Sequence, residues 1–195
     1  MESSRATNPL EELSGSNIGW LLSHAGHAYG ERPAIIVDGG ITTFAALAAR
    51  AESYSATVQR AGLRVGDRVG ILLPRGAEAA AAFFGVTGAG GIAVMVNELY
   101  QPRQIEHVLT HAGATLLLTS PEVTSGLTRG LEFPGTRLGP EDLEGREAGI
   151  PLPRSSGDPA QLVYTSGSTG QPKGVLVSHG NLWAGALVVA DYLEV

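Results

Sequence analysis

The stretch "RVGILLPRGAEAAAAFFGVTGAGGIAVMVNELYQPRQIEHVLTHAGATLLLTS", residues 68–120, decides the fold of this 195-residue chain. It contains three apolar runs of strand length, at 68–74, 91–97 and 114–120, each continuous rather than alternating. Continuous runs mark strands covered on both faces, since a strand with one wet face alternates apolar and polar residues. Helical patterns lie between them. "GAEAAAAFFGVTGAG" is rich in strong helix formers, and its closing "GAGG" at 88–91 lacks a dinucleotide fingerprint and reads as a helix stop entering a strand. In "QPRQIEHVLTHAG", Ile105, Val108, Leu109 and Ala112 share a face, with Pro102 at a natural first helical position and Gly113 past the end. Strand, helix, strand, helix, strand predicts an α/β fold: a mostly parallel sheet flanked by crossover helices.

Upstream, "TTFAALAARAESYSATVQRAG" at 42–62 predicts a helix. Phe44, Leu47, Ala48, Ala51, Tyr54, Val58 and Ala61 recur at three-to-four spacing, with Thr42 or Thr43 as cap and Gly62 as stop. Residues 1–16 read as a polar tail. Downstream, Gly, Pro and acidic residues dominate 121–159, which reads as a loop-rich surface excursion. Pattern resumes in "AQLVYTS" and "KGVLVSH", two predicted strands, and in "GNLWAGALVVADYLEV", a predicted apolar-faced helix with Ser178 or Asn181 near its cap. No repeat of fixed period is visible.

Composition narrows the functions. The hydrophobic fraction of 43% can bury a core, and one domain is the expectation. A formal charge of -6 without a Lys/Arg cluster gives no electrostatic footprint for nucleic acid or an anionic membrane. With no cysteine there is no disulfide or thiolate chemistry. The N-terminus lacks a basic start followed by an apolar run, and no segment reaches the ~18 apolar residues of a membrane span, so a cytoplasmic location is expected.

The chemistry concentrates in "YTSGSTGQPKGV", residues 164–175. Nine residues join Tyr164 to Gly174, more than the two to five of a plain hairpin. Gly167 and Gly170 let the backbone take positive φ and approach a ligand, while Thr165, Ser166, Ser168 and Thr169 add hydroxyl donors. Successive N–H groups in such a turn form a concave anion site, to which Lys173 adds a point charge. A polyphosphate fits that chemistry. A Ser/Gly-rich surface loop is the plain alternative, but the glycines, lysine and β-branched flanks occur together in one order. The P-loop NTPase motif fails: counted from Gly167, Pro172 stands where the second Gly should be, and Gly174 follows Lys173 in place of Ser or Thr.

"YTSGSTGQPKGVLVSHGNL" resembles the phosphate-binding signature of the adenylate-forming (AMP-binding) superfamily, which holds acyl-CoA synthetases, nonribosomal-peptide adenylation domains and luciferases. Order and spacing resemble the family from about Ile18 to Val195, and "NELYQPRQIEHVL" is more similar to acyl- and aryl-CoA synthetases than to adenylation domains. The resemblance implies that 1–195 is part of an AMP-binding N-terminal domain, with 160–195 holding the phosphate-loop signature and the following helix. The implied fold is the first part of the family's large N-terminal domain. Departures are Met95 and Glu98, where relatives usually have proline, and Gln101, where Ser or Thr usually caps a helix. Segments for adenine, ribose and the acid's side chain, and a C-terminal domain with a catalytic lysine, are implied to lie outside this sequence. No lysine here matches that one, so no catalytic residue is assigned.

The implied activity is ATP-dependent, Mg2+-assisted and AMP-forming. A small carboxylic acid becomes an acyl-adenylate, pyrophosphate leaves, and coenzyme A or a carrier-protein pantetheine is the usual acceptor. Thr165, Ser166, Gly167, Ser168, Thr169, Gly170, Lys173 and Gly174 are the implied ATP grip, with a second chain as one source of the missing parts. The alternative is a non-catalytic module of the same fold acting through protein contacts. Incomplete packing predicts exposed apolar surface and marginal stability. Of the remaining candidates, His107 and His111 have an i, i+4 zinc spacing but no third ligand, and are expected on a helix surface. His24 and His27 are expected to be surface or packing residues. His179 is expected near the acid pocket or capping the next helix.

Overall fold

The computed structural model describes residues 17–121, 123, 131–143, 149, 151–165 and 173–193. Helix α1 (Ile18–Tyr29) leads into an antiparallel hairpin of β1 (Pro33–Val37) and β2 (Gly40–Thr43), followed by α2 (Phe44–Arg60). Then come β3 (Arg68–Leu72), α3 (Ala77–Gly88), β4 (Ile92–Met95), α4 (Pro102–Ala112) and β5 (Ala114–Thr119). A short strand β6 (Thr136–Leu138) and a one-turn helix at Pro140–Asp142 precede β7 (Pro159–Thr165), β8 (Lys173–Ser178) and α5 (His179–Leu193).

The main sheet has the order β6-β5-β3-β4-β7-β8. All neighbouring pairs are parallel except β7 with β8. The predicted parallel core is therefore present, and β4 and β5 flank β3 on opposite sides. Right-handed crossovers that reverse direction must send successive helices to opposite faces. The packing agrees. Leu47, Tyr54, Val58, Ala81 and Val86 of α2 and α3 bury one face with Val69, Ile71, Ala93 and Leu116. Ile105, Val108 and Leu109 of α4 bury the other with Leu72, Val94 and Leu117.

Local chemistry fixes the elements. Thr43 caps α2, its hydroxyl accepting from the Ala46 N–H at 3.2 Å. Helix α4 starts at Pro102 and ends on Gly113, whose left-handed φ of 64° a side chain would strain. Arg68 at the start of β3 donates to the carbonyls of Ala112 (2.8 Å) and Gly113 (3.2 Å), neutralising the negative end of α4. At Gln101 the lost Ser/Thr cap is replaced from the other side: Gln104 Oε1 accepts from the Gln101 N–H at 2.9 Å.

Two features differ from the sequence reading, and one open choice is settled. Helix α1 and the β1–β2 hairpin lie upstream of the first predicted element. The stretch 121–159 supplies an edge strand, since β6 pairs with β5 through Leu116–Thr136, Leu117–Arg137 and Leu118–Leu138. The cap of α5 is resolved in favour of both candidates: Ser178 Oγ accepts from Asn181 N–H, and Asn181 Oδ1 from Ser178 N–H, each at 3.2 Å. The predicted apolar exposure is present at the last strand and helix, where Val175, Leu176, Val188, Val189, Tyr192 and Leu193 are exposed.

Candidate functional site

The parallel strands β3, β4, β5 and β7 point their carboxyl ends to one edge of the sheet. In open α/β sheets ligands bind outside that edge, where the strand order reverses. Here the edge carries the Arg75 and Glu98 side chains, 3.9 Å apart, and Asn97, whose Oδ1 accepts from the Leu99 N–H at 2.9 Å. Met95 ends β4 and Glu98 follows in the turn after it, so strand and turn form without the prolines that the resemblance implies there.

The two strands that flank residues 166–172 of the signature meet at this edge. Strands β7 and β8 pair antiparallel, with Tyr164 opposite Gly174 and Thr165 opposite Lys173 as the last pair before residues 166–172. Both strands predicted from "AQLVYTS" and "KGVLVSH" are present, β7 ending at Thr165 and β8 starting at Lys173. Thr165, Lys173 and Gly174 are exposed, so a hydroxyl and an ammonium stand across from each other at the neck. The predicted site residues Ser166, Gly167, Ser168, Thr169 and Gly170 lie outside the described residues.

Behind the neck the structure brings together residues that the sequence did not connect. Tyr164 is 9% exposed, burial raises its hydroxyl pKa, and the hydroxyl shares a hydrogen bond of 2.7 Å with Nδ1 of His111. The two rings meet edge-on, with centroids 5.7 Å apart. The Tyr164 ring also covers Gly174, where a Cβ would stand 3.3 Å from Cζ. His107 lies beside His111, ring centroids 5.7 Å apart, and among the described residues no group of three or more His, Cys, Asp or Glu could hold a metal ion.

His179 does not cap α5. It is fully buried at the start of the helix, where Nδ1 accepts the Ile18 N–H at 3.1 Å. Its own N–H donates to Asp158 O at 3.0 Å. Burial first, and then Arg154, push its pKa down to about 4, so the ring is neutral with its proton on Nε2. His24 and His27 are exposed on α1. Among the described residues no helix is long and apolar enough to cross a membrane.

A parallel α/β sheet whose carboxyl edge carries Thr165 and Lys173, the described ends of the Ser/Thr/Gly/Lys signature, fits the class of adenylate-forming domains. The chain belongs to the AMP-binding enzyme family, whose profile matches residues 22–194. It is similar to the sulfoacetate–CoA ligase of Cupriavidus necator, 34% identical over 159 residues that cover 75% of this chain and 31% of the relative. It is similar also to surfactin synthase subunit 1 of Bacillus subtilis, 31% identical over 172 residues, 82% of this chain and 5% of the relative. Among solved structures, VinN in complex with 3-methylaspartate superposes with a TM-score of 0.83 at 24% identity, over 93% of this chain and 53% of VinN, which supports the fold. The chain thus spans about a third or less of the curated relatives it matches. Its family members are acyl-CoA ligases and peptide-synthetase adenylation domains, and this chain corresponds to their N-terminal part.

Proposed function

We propose that this chain is the N-terminal part of an ATP-dependent, AMP-forming carboxylic acid ligase of the acyl-CoA synthetase type, acting in the cytoplasm. One observation carries the reading: in an AMP-binding family chain, a hydroxyl and an ammonium, Thr165 and Lys173, face each other on the hairpin neck at the sheet's carboxyl edge. Both donors suit phosphate oxygens. With Ser166, Gly167, Ser168, Thr169, Gly170 and Gly174 they form the proposed grip on the β- and γ-phosphates of ATP. A carboxylate oxygen of the acid substrate bonds to the α-phosphorus, the α–β bridging bond breaks, and pyrophosphate departs with the electron pair. Lys173 offsets the charge that develops on the leaving group, and the grip keeps it in line with the attacking oxygen. Mg2+, entering with the nucleotide, would supply further charge neutralisation, and coenzyme A or a carrier-protein pantetheine would take the acyl group.

The exposed apolar side chains of β8 and α5 favour a second reading, a fold-preserving module that works through protein contacts, including contacts with a chain that completes the ligase. Pyrophosphate exchange with a panel of carboxylic acids decides between them. Exchange by the protein, alone or with a completing chain, is the expected result; none under either condition removes the ligase reading.

A further inference from the structure

We infer that His111 is a positioning residue for the phosphate grip, acting through Tyr164 on the neck formed by Thr165 and Lys173. The inference rests on the ligase reading above and adds a residue from a different element to its site.

The parallel ladder between β4 and β7 covers Ala93–Gln161 and Val94–Leu162, and β7 continues through Val163, Tyr164 and Thr165 beyond it. Past that point, among the described residues, the strand has the ladder with β8 alone, and β8 is the outer strand of the sheet. A two-stranded ribbon by itself is marginal in water. The side chain of Tyr164 supplies the missing support: its ring lies over Gly174 on the partner strand, and its hydroxyl reaches His111 at 2.7 Å. His111 stands in the last turn of α4, which Arg68 pins to β3 through the carbonyls of Ala112 and Gly113. A fixed series of contacts therefore runs from the centre of the sheet, through α4, to the residue preceding Thr165.

Packing alone does not require this bond, because phenylalanine would cover Gly174 equally well. The hydroxyl and imidazole add direction, fixing where the neck stands against α4 in a way that a smooth apolar contact cannot.

The test measures ATP and inorganic pyrophosphate affinity by calorimetry on the full-length protein, with His111→Ala, Tyr164→Phe, the double variant, His111→Asn and Lys173→Ala. The alanine and phenylalanine variants each weaken binding about fivefold, as removal of one hydrogen bond would, and the double variant is no weaker than either single. In His111→Asn an amide replaces Nδ1 and affinity returns to within about twofold of wild type. Without nucleotide, amide exchange across 159–178 quickens in His111→Ala and Tyr164→Phe but not in His111→Asn. Wild-type affinity in His111→Ala while Lys173→Ala loses binding overturns the inference and leaves the ligase reading standing, as do additive losses in the double variant. Unchanged affinity in Lys173→Ala removes the ligase reading instead, and the exchange measurement still decides whether His111 holds the neck.

Discussion

The backbone N–H of Ile18 donates to Nδ1 of His179 at 3.1 Å, joining the first turn of α1 to the first residue of α5 across 161 positions of sequence. The bond needs a neutral ring. Nε2, which carries the proton, is buried and has no partner among the described residues, so a second charge-bearing proton on Nδ1 would both break the bond and place a cation in the core.

This makes stability depend on pH in a definite direction. The folded pKa is about 4 against an ordinary 6.5, so between those values the unfolded chain binds a proton that the folded chain does not. Stability from this group is complete above pH 6.5 and is lost as pH falls toward 4, a loss of roughly 3 kcal/mol at 1.36 kcal/mol per pKa unit. Urea unfolding between pH 7 and 4 should show that slope. His179→Asn, which keeps an acceptor near Nδ1 and does not titrate, should flatten it.

Asn17 anchors the same junction. It is fully buried, and its Nδ2 donates to the carbonyls of Thr87 (3.0 Å), Gly88 (3.1 Å) and Leu152 (2.8 Å), while Oδ1 accepts from the Gly19 N–H. Alanine here leaves the end of α3 and the 151–158 segment without their shared donor. Since each buried unsatisfied group costs ~1–3 kcal/mol, Asn17→Ala should destabilise by about 2–3 kcal/mol and lower the melting temperature by ~5 °C or more. Calorimetric melting checks this, and an unchanged melting temperature would mean that solvent replaces the side chain.

These anchors show why some of the architecture was legible in sequence and some was not. Val69–Leu72, Ile92–Met95 and Leu116–Thr119 announced a parallel sheet because strands buried on both faces must be apolar throughout. Helix α4 was equally clear, its periodicity bounded by Pro102 and Gly113. The β1–β2 hairpin left one local sign, Asp38-Gly39, both at positive φ, but Ile36 and Ile41 face solvent and give no alternation toward a core. Strand β6 is three residues long in a Gly/Pro-rich stretch, and only its neighbour β5 makes it a strand. At the site, Thr165 and Lys173 were named from hydroxyl, glycine and lysine chemistry. His111 could not be linked to Tyr164, since the bond spans 53 positions and follows from the strand order alone.

A buried hydroxyl separates two substitutions that look alike. Arg50 Nε donates to Glu78 at 2.9 and 3.2 Å, and the Tyr54 hydroxyl donates to Glu78 Oε2 at 2.7 Å. Arg50 and Glu78 side chains are 35% and 41% exposed, so their ion pair is worth ~0–1 kcal/mol and Arg50→Ala should cost little. Tyr54 is fully buried. Glu78→Ala orphans its hydroxyl and should cost about 2 kcal/mol or more, with Tyr54→Phe/Glu78→Ala recovering part of the loss. Equal costs for Arg50→Ala and Glu78→Ala in urea unfolding would show that the ion pair, not the hydroxyl, matters.

Lys173 carries the sharpest prediction about function. It begins β8 opposite Thr165, and its side chain is exposed, so removing it takes away a charge without opening the core. Lys173→Ala should therefore melt within about 0.5 kcal/mol of wild type, as surface substitutions do. Its effect should fall on phosphate: a charge-assisted bond contributes ~1.5–3 kcal/mol, so affinity for ATP and pyrophosphate should drop by roughly ten- to a hundredfold. Lys173→Arg should recover part of this, since the charge returns with a planar fork in place of a point ammonium. Adenosine, which has no phosphate for the lysine to meet, should bind the variant and the wild type alike. Calorimetry with ATP, pyrophosphate and adenosine separates the outcomes, and a loss shared by all three would mean that Lys173 shapes the fold rather than holding the polyphosphate.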